Sequence, residues 1–313
     1  MQIVLSASRR TDIPAFYMKW FMEGIERGEF SVRHPFTGAV RKVEAGPDRV
    51  HSIVFWSKDF GSFLENGCGE RLQEIGYHLF FNFTVNSSDS VLEPRVPPLA
   101  PRLAQLEALS RRFGPDCIQW RFDPVCFYRT PDGRIHDNLG DFKRIADAAA
   151  AVGAKRCVTS FLDLYAKVRR RAARSGDVSF IDPPLAKKVS VLESMARILE
   201  DKQIRLFTCC EKEVLAAAGQ KSVVRPAACI PSEILMGLYG GRLSLRQDPG
   251  QRTSQGCGCR ISVDIGSYRD QPCRHRCLFC YANPAATPLP PPGGWDAGKL
   301  GIQKIEGKGK LNG

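Results

Sequence analysis

Arg156-Cys-Val-Thr-Ser-Phe161 and Ile204-Arg-Leu-Phe-Thr-Cys209 are short runs rich in β-branched and aromatic residues. Between them, Pro184 to Asp201 carries an amphipathic pattern, and Pro183-Pro184 opens it in the way a helix's first turn favours. Strand, helix, strand is the unit that joins parallel strands through a right-handed crossover. Working outward from it, the same alternation recurs. Candidate strands lie at Gln2–Ala7, Ser52–Trp56, His78–Thr84 and Cys117–Phe122, with amphipathic segments at Ala15–Arg27, Gly61–Leu72, Arg102–Phe113 and Leu139–Val152. Six such units predict an α/β fold, a partial (β/α)6 TIM-like barrel, over residues 1–215. After Ala216 the alternation stops. Ile230–Tyr239 reads as one short helix and Gly240 to Tyr268 as loop. Residues 216–283 are expected to form a cysteine-rich segment packed on the barrel mouth. Residues 284–313, rich in proline and then in lysine and glycine, read as a disordered tail.

Composition narrows the class. At 313 residues, 43% hydrophobic, the chain can bury a full core and does not need disulfides to hold it. No apolar run approaches the ~20 residues that cross a bilayer, and the opening Met1-Gln-Ile-Val-Leu-Ser-Ala-Ser-Arg-Arg10 is not a secretory signal. A cytoplasmic protein without membrane contact is expected. Twelve cysteines are many for such a chain, and five of them fall between Cys257 and Cys280. Clustering of that kind points to metal. Cys117 and Cys157, in apolar runs, read as buried thiols acting as small hydrophobes. The net charge of +12 allows an anionic partner. Its densest stretch, Lys167 with Arg169, Arg170, Arg171 and Arg174, reads as a solvated helix face.

In a (β/α) architecture the chemistry sits where strands end. Every candidate strand here runs into polar residues, which places Arg10, Asp12, Lys58, Arg121, Asp123, Asp163 and Glu211 on one rim. Arg10, Lys58 and Arg121 suit carboxylates or phosphates. Asp12, Asp123 and Asp163 suit ribose hydroxyls or an amine.

Cys273-Arg-His-Arg-Cys277-Leu-Phe-Cys280 is a Cys-x3-Cys-x2-Cys array. Three thiolates on so short a loop can each meet a different iron of a [4Fe–4S] cluster, which ordinarily takes four, so one iron stays open. Zinc sites favour paired Cys-x2-Cys knuckles closed by four ligands, which the x3 gap fits less well. The array resembles the signature of radical S-adenosylmethionine (SAM) enzymes, with Phe279 as the aromatic before the last cysteine. Cys277-Leu-Phe-Cys-Tyr-Ala282 is particularly similar to the spore photoproduct lyase group. The resemblance implies Cys273, Cys277 and Cys280 as cluster ligands, SAM on the open iron, and a 5′-deoxyadenosyl radical that abstracts hydrogen from substrate. Phe279, Tyr281, Asn86 and Glu211 are the candidates to bind the cofactor. An electron donor such as a flavodoxin or ferredoxin is implied, with Arg274 and Arg276 placed to contact it or to raise the cluster's potential. His275, between these arginines, is expected to face solvent or an anion. Two departures stand out: the array follows the sixth strand and not the first, as in the thiamine pyrimidine synthase type, and no Gly-Gly-Glu-like stretch follows the second strand.

The chain from Ser6-Ala-Ser-Arg-Arg-Thr-Asp-Ile-Pro14 to Tyr281-Ala-Asn283 also resembles the bacterial domain of unknown function 1848 family. Phe55-Trp-Ser-Lys58, Trp120-Arg-Phe-Asp-Pro124, Ser160-Phe-Leu-Asp163, Cys257-Gly-Cys259 and Asp264-Ile-Gly-Ser-Tyr268 carry that likeness.

Cys257 and Cys259, with Cys209 and Cys229, form a second candidate site for an auxiliary iron–sulfur cluster or a structural zinc. The functional expectation is a radical SAM-like enzyme acting on an unidentified small molecule. Its rivals are a nucleic-acid modification or repair enzyme of the same chemistry and a non-catalytic iron–sulfur or zinc protein.

Overall fold

The computed structural model describes residues 2–35 and 37–282; the stretch 284–313 read as a tail lies outside them. Eight strands make the main sheet: β1 (Ile3–Ala7), β2 (Val50–Ser57), β3 (His78–Thr84), β4 (Ile118–Val125), β5 (Arg156–Phe161), β6 (Arg205–Thr208), β7 (Arg225–Pro226) and β8 (Val263–Asp264). Their order is β7-β6-β5-β4-β3-β2-β1-β8, and every neighbouring pair is parallel.

The six strands read from the sequence are all present, and two more extend the sheet from residues 216–282. The sheet is not closed. Its order would close a barrel if β7 paired with β8, but each has only two residues, and Pro226 has no N–H to give. At that seam only irregular backbone meets: Gly258 N–H donates to the Ala227 carbonyl (3.3 Å) and Arg260 N–H to Ile230 (3.1 Å).

Helices cover the outside of the sheet. The segment expected as Ala15–Arg27 divides into α1 (Ile13–Phe16), capped by Asp12 with Pro14 in its first turn, and α2 (Met18–Arg27). Gly61–Leu72 divides likewise, into α3 (Gly61–Glu65) and α4 (Cys68–Ile75), because Asn66-Gly67 interrupts it with Gly67 at φ 60°. Then come α5 (Leu99–Phe113), α6 (Phe142–Ala151), α7 (Ala166–Ser175), α8 (Leu185–Glu200), α9 (Lys212–Ala218) and α10 (Ser232–Tyr239). A hairpin of Glu29–Arg33 with Val40–Glu44 and a three-stranded antiparallel patch (Phe127–Arg129, Ile135–Asp137, Ser179–Ile181) are additions that the βα reading did not contain.

Strand alternation divides the sheet into two faces. Phe55, Phe81, Phe83, Trp120 and Phe122 point outward, fully buried under the helices. Phe81 alone meets Phe55, Phe60, Phe63 and Phe113 at centroid distances of 5.2–6.0 Å. The opposite face is polar: Trp56 pairs in register with Asn82, Asn82 with Gln119, and Thr84 with Arg121. Gln119 Nε2 donates to Asn82 Oδ1 (2.7 Å) and Asn82 Nδ2 to the Cys229 carbonyl (3.0 Å), so these buried amides close the floor. Phe81→Ala should cost about 3–5 kcal/mol. Urea denaturation should show it as a lower midpoint at unchanged m-value.

Candidate functional site

The polar face opens at the C-terminal strand ends into a cavity of about 640 Å³. Both cysteine groups line it: Cys273, Cys277 and Cys280 on one side, and Cys209, Cys210, Cys229, Cys257 and Cys259 on the other. Arg10, Asp12, Lys58, Arg121, Asp123, Asp163, Phe279 and Tyr281 line it as well. Asn86 and Glu211 do not. Asn86 is buried behind the wall, donating to Glu93 Oε1 (3.1 Å) and accepting from the Asp123 amide (2.9 Å). Glu211 faces a neighbouring hollow and accepts the Phe161 N–H (2.7 Å). Burial pushes its carboxyl up to about 7, against the pull of that amide and of Lys188.

The array is held from both sides. His275 is not at the surface as expected; it is 2% exposed, its Nε2 lies 2.8 Å from Asp12 Oδ2, and its ring packs on Phe16. Asp12 also accepts from the Ala15 and Lys58 amides and from Ser57 Oγ, at 2.7–3.0 Å. That carboxylate is thus spent on protein donors and ties the β1 and β2 loops to the array. From the other side Arg171, on the basic helix α7, donates to the carbonyls of Leu278 (2.7 Å) and Cys280 (2.9 Å). Lys167, Arg169, Arg170 and Arg174 on α7 are exposed as expected; Arg171 is half-buried and structural. Cys277 is buried, with Cys273 and Cys280 half-buried and none in a disulfide. Burial pushes the Cys273 and Cys277 thiols up, while Lys58 draws Cys277 the other way. Lys58 itself pairs with Glu93 (2.5 Å) and lies 5.4 Å over the Phe279 ring.

The second group gathers three separate segments. Cys209 and Cys210 directly follow β6, Cys229 follows β7, and Cys257 and Cys259 precede β8. The sulfurs of Cys209, Cys210 and Cys257 all lie within 4.8 Å of one another, so this group can hold a metal ion. Cys210 is the member the sequence reading left out. Neighbours on a strand point to opposite faces, but Cys210 takes the left-handed conformation (φ 62°), which brings its sulfur to 3.6 Å from Cys209. The Cys-Cys pair was visible in the sequence; the turn was not. Gly258 is required between its two cysteines, because a Cβ there would stand 2.7 Å from the Ala227 carbonyl oxygen. Arg121 donates to Cys229 Sγ and to Asp123. Burial opposes its charge, yet Cys229 and Asp123 hold it well above the ordinary arginine value. Its neighbours Cys209, Cys210 and Cys259 draw the Cys257 thiol below its ordinary value.

Several rim groups engage one another. Asp123 accepts from Arg121 and Ser160, and Asp163 from Arg252. Arg9 and Arg121 lie 5.4 and 5.3 Å from the Trp56 centroid. Arg9, Trp56 and Arg252 line the cavity without having been singled out as site residues from sequence; Arg9 and Trp56 lie within stretches that carry the family likeness, and Arg252 lies five residues before Cys257. Cys117 and Cys157 are buried thiols outside both groups, as expected, and burial pushes Cys117 up to about 12.

A family model described as "Domain of unknown function (DUF1848)" matches residues 4–282. The chain belongs to this family. No curated protein matches the chain in sequence. Among solved structures, a D-allulose 3-epimerase from Methylomonas sp. is similar at 10% identity and a TM-score of 0.27, over 71% of this chain and 61% of the epimerase. The chain therefore spans about three fifths of that protein's length, and a likeness at this score carries no argument about fold or function. No helix among the described residues is long and apolar enough to cross a membrane.

His275→Ala in this DUF1848 protein should cost about 1–3 kcal/mol, because Asp12 stays buried with one donor fewer. It should also speed alkylation of Cys273 and Cys280. Unchanged denaturation and unchanged thiol reactivity would remove the tie described above.

Proposed function

We propose that this DUF1848 protein is an iron–sulfur enzyme of the radical SAM type, with Cys273, Cys277 and Cys280 as the ligands of a [4Fe–4S] cluster. The observation that carries the reading is the shared cavity: three free thiols of the array open onto the same polar hollow as the strand-end residues. The donor set fits. Three free thiols on one short loop can each meet a different iron of a cuboidal cluster. The cavity also falls in the size range of small-molecule sites.

When bound, such a cluster with SAM supplies reductive cleavage of the sulfonium and so starts radical chemistry on a substrate. The chain's own residues bind, orient and exclude water. Arg10, whose Nη1 donates to the Gly266 carbonyl (3.0 Å), presents its charge at the mouth to a carboxylate or phosphate. Arg121 and Asp123, fixed by each other, orient polar groups against the Trp56 ring. Phe279 and Tyr281 wall the array side, and Tyr281 is held by its hydroxyl on the Arg9 carbonyl (2.9 Å). A flavodoxin or ferredoxin would supply the electron. A small-molecule substrate suits a cavity of this size better than the nucleic acid that the net charge suggests.

A second reading, a non-catalytic metal protein, draws on the close trio of Cys209, Cys210 and Cys257. The test separates the two. Anaerobically purified protein should contain iron and sulfide in comparable amounts. Dithionite with SAM should then yield 5′-deoxyadenosine. Cys273→Ala/Cys277→Ala/Cys280→Ala should abolish that product. Asp123→Ala should lower it at least about tenfold while leaving iron in place, since its role is to position reactants. Zinc without sulfide, or a cluster that leaves SAM intact, would favour the second reading.

A further inference from the structure

No strand pairing among the described residues spans the seam between β7 and β8, the two edge strands of the main sheet. The second cysteine group sits there. Cys209 and Cys210 come from the end of β6, Cys229 lies three residues beyond β7, and Cys257 and Cys259 stand just before β8. We propose that Cys209, Cys210 and Cys257 hold a single thiophilic divalent ion of the zinc class, which joins the strand ends where the sheet is left open. This proposal is independent of the array's role.

The spacing argues for one ion. A tetrahedral zinc with Zn–S bonds of about 2.3 Å places its sulfurs about 3.8 Å apart. Cys209 and Cys210 stand 3.6 Å apart, and the trio lies within 4.8 Å. The backbone argues the same way. Cys210 is one of three non-glycine residues at positive φ among those described, and the result of that conformation is to turn a second thiol onto the first. A fourth sulfur is at hand, since Cys229 and Cys259 line the same wall of the cavity. Four protein thiolates make a closed, structural site. Its excess negative charge has a local counter-charge, since Arg121 donates to Cys229 Sγ. Backbone contacts hold the segments in reach, with Cys229 N–H 3.3 Å from Cys259 Sγ and Gly258 seated on Ala227.

The test uses the full-length Cys273→Ser/Cys277→Ser/Cys280→Ser variant, which removes the array as a source of metal. It should retain about one zinc per chain and no sulfide. Cobalt added to the stripped protein should give the thiolate-to-metal charge-transfer bands and visible ligand-field bands of a tetrahedral thiolate site. Chelation should lower its melting temperature. Adding Cys210→Ser should weaken cobalt affinity at least about tenfold, whereas adding Cys68→Ser, at a thiol outside the group, should leave it unchanged. In the wild-type chain, Cys210 should resist alkylation until a chelator is added, a readout that needs no variant to fold. No bound metal in the array variant, sulfide accompanying iron there, or free alkylation of Cys210 in zinc-loaded protein would each overturn the proposal. A wild-type chain that binds zinc at the trio but holds no iron and leaves SAM intact would count against the proposed function alone.

Discussion

The Asp12 carboxylate is the constraint on which the mouth of this molecule depends. It is 5% exposed, and a carboxylate so buried is tolerated only when its oxygens are saturated. Four donors meet that need: the Ala15 amide starts α1, Ser57 Oγ and the Lys58 amide come from the end of β2, and His275 comes from the cysteine array. Satisfying one charge therefore fixes three segments distant in sequence. A second carboxylate does similar work nearby. Asp264, on β8, accepts from Ser6 and Ser8 hydroxyls and from the Arg9 and Gly266 amides at 2.6–3.1 Å. Together they explain how a terminal segment with little regular structure is held over the strand ends.

Electrostatics then distribute the chemistry. The cavity wall carries thiols on two sides and paired charges between them, so its cations and anions are set in geometry before any ligand arrives. Lys58 is committed to Glu93, Arg252 to Asp163 and Arg121 to Asp123 and Cys229. Such pairs hold a low-dielectric site rigid. They also leave fewer groups to touch a substrate than the rim's composition suggests. Arg10, with only a distant Asp264 (3.9 Å), is the cation best placed to meet an anionic ligand.

The two faces of the sheet account for how far the fold could be read. β1 to β6 were legible because each is long enough to show an aromatic or β-branched run. Phe55, Phe81 and Trp120 belong to an outer face whose burial dictates their type. β7 and β8 carry no such run: two residues each, one a proline, pair only because Ile265 and Ala227 reach the neighbouring strands, Ser6 and Thr208. The array's spacing put three thiols on one short loop, and all three line the cavity. His275 was misread because its charged neighbours suggested solvent, whereas its burial follows from Asp12, 263 residues away. Cys210 depended on one backbone angle that the side chain does not announce. Asn86 and Glu211 were placed correctly at strand ends, but a one-residue difference in direction turns a side chain behind the wall and not into it.

The central claim is that two thiol groups hold two different metal centres on one cavity. Anomalous diffraction from anaerobically grown crystals, recorded at the iron and zinc edges, measures this directly. The account expects an iron peak within bonding distance of Cys273, Cys277 and Cys280, and a separate zinc peak among Cys209, Cys210 and Cys257. No metal peak at the array, or disulfides joining the thiols of either group, would contradict it.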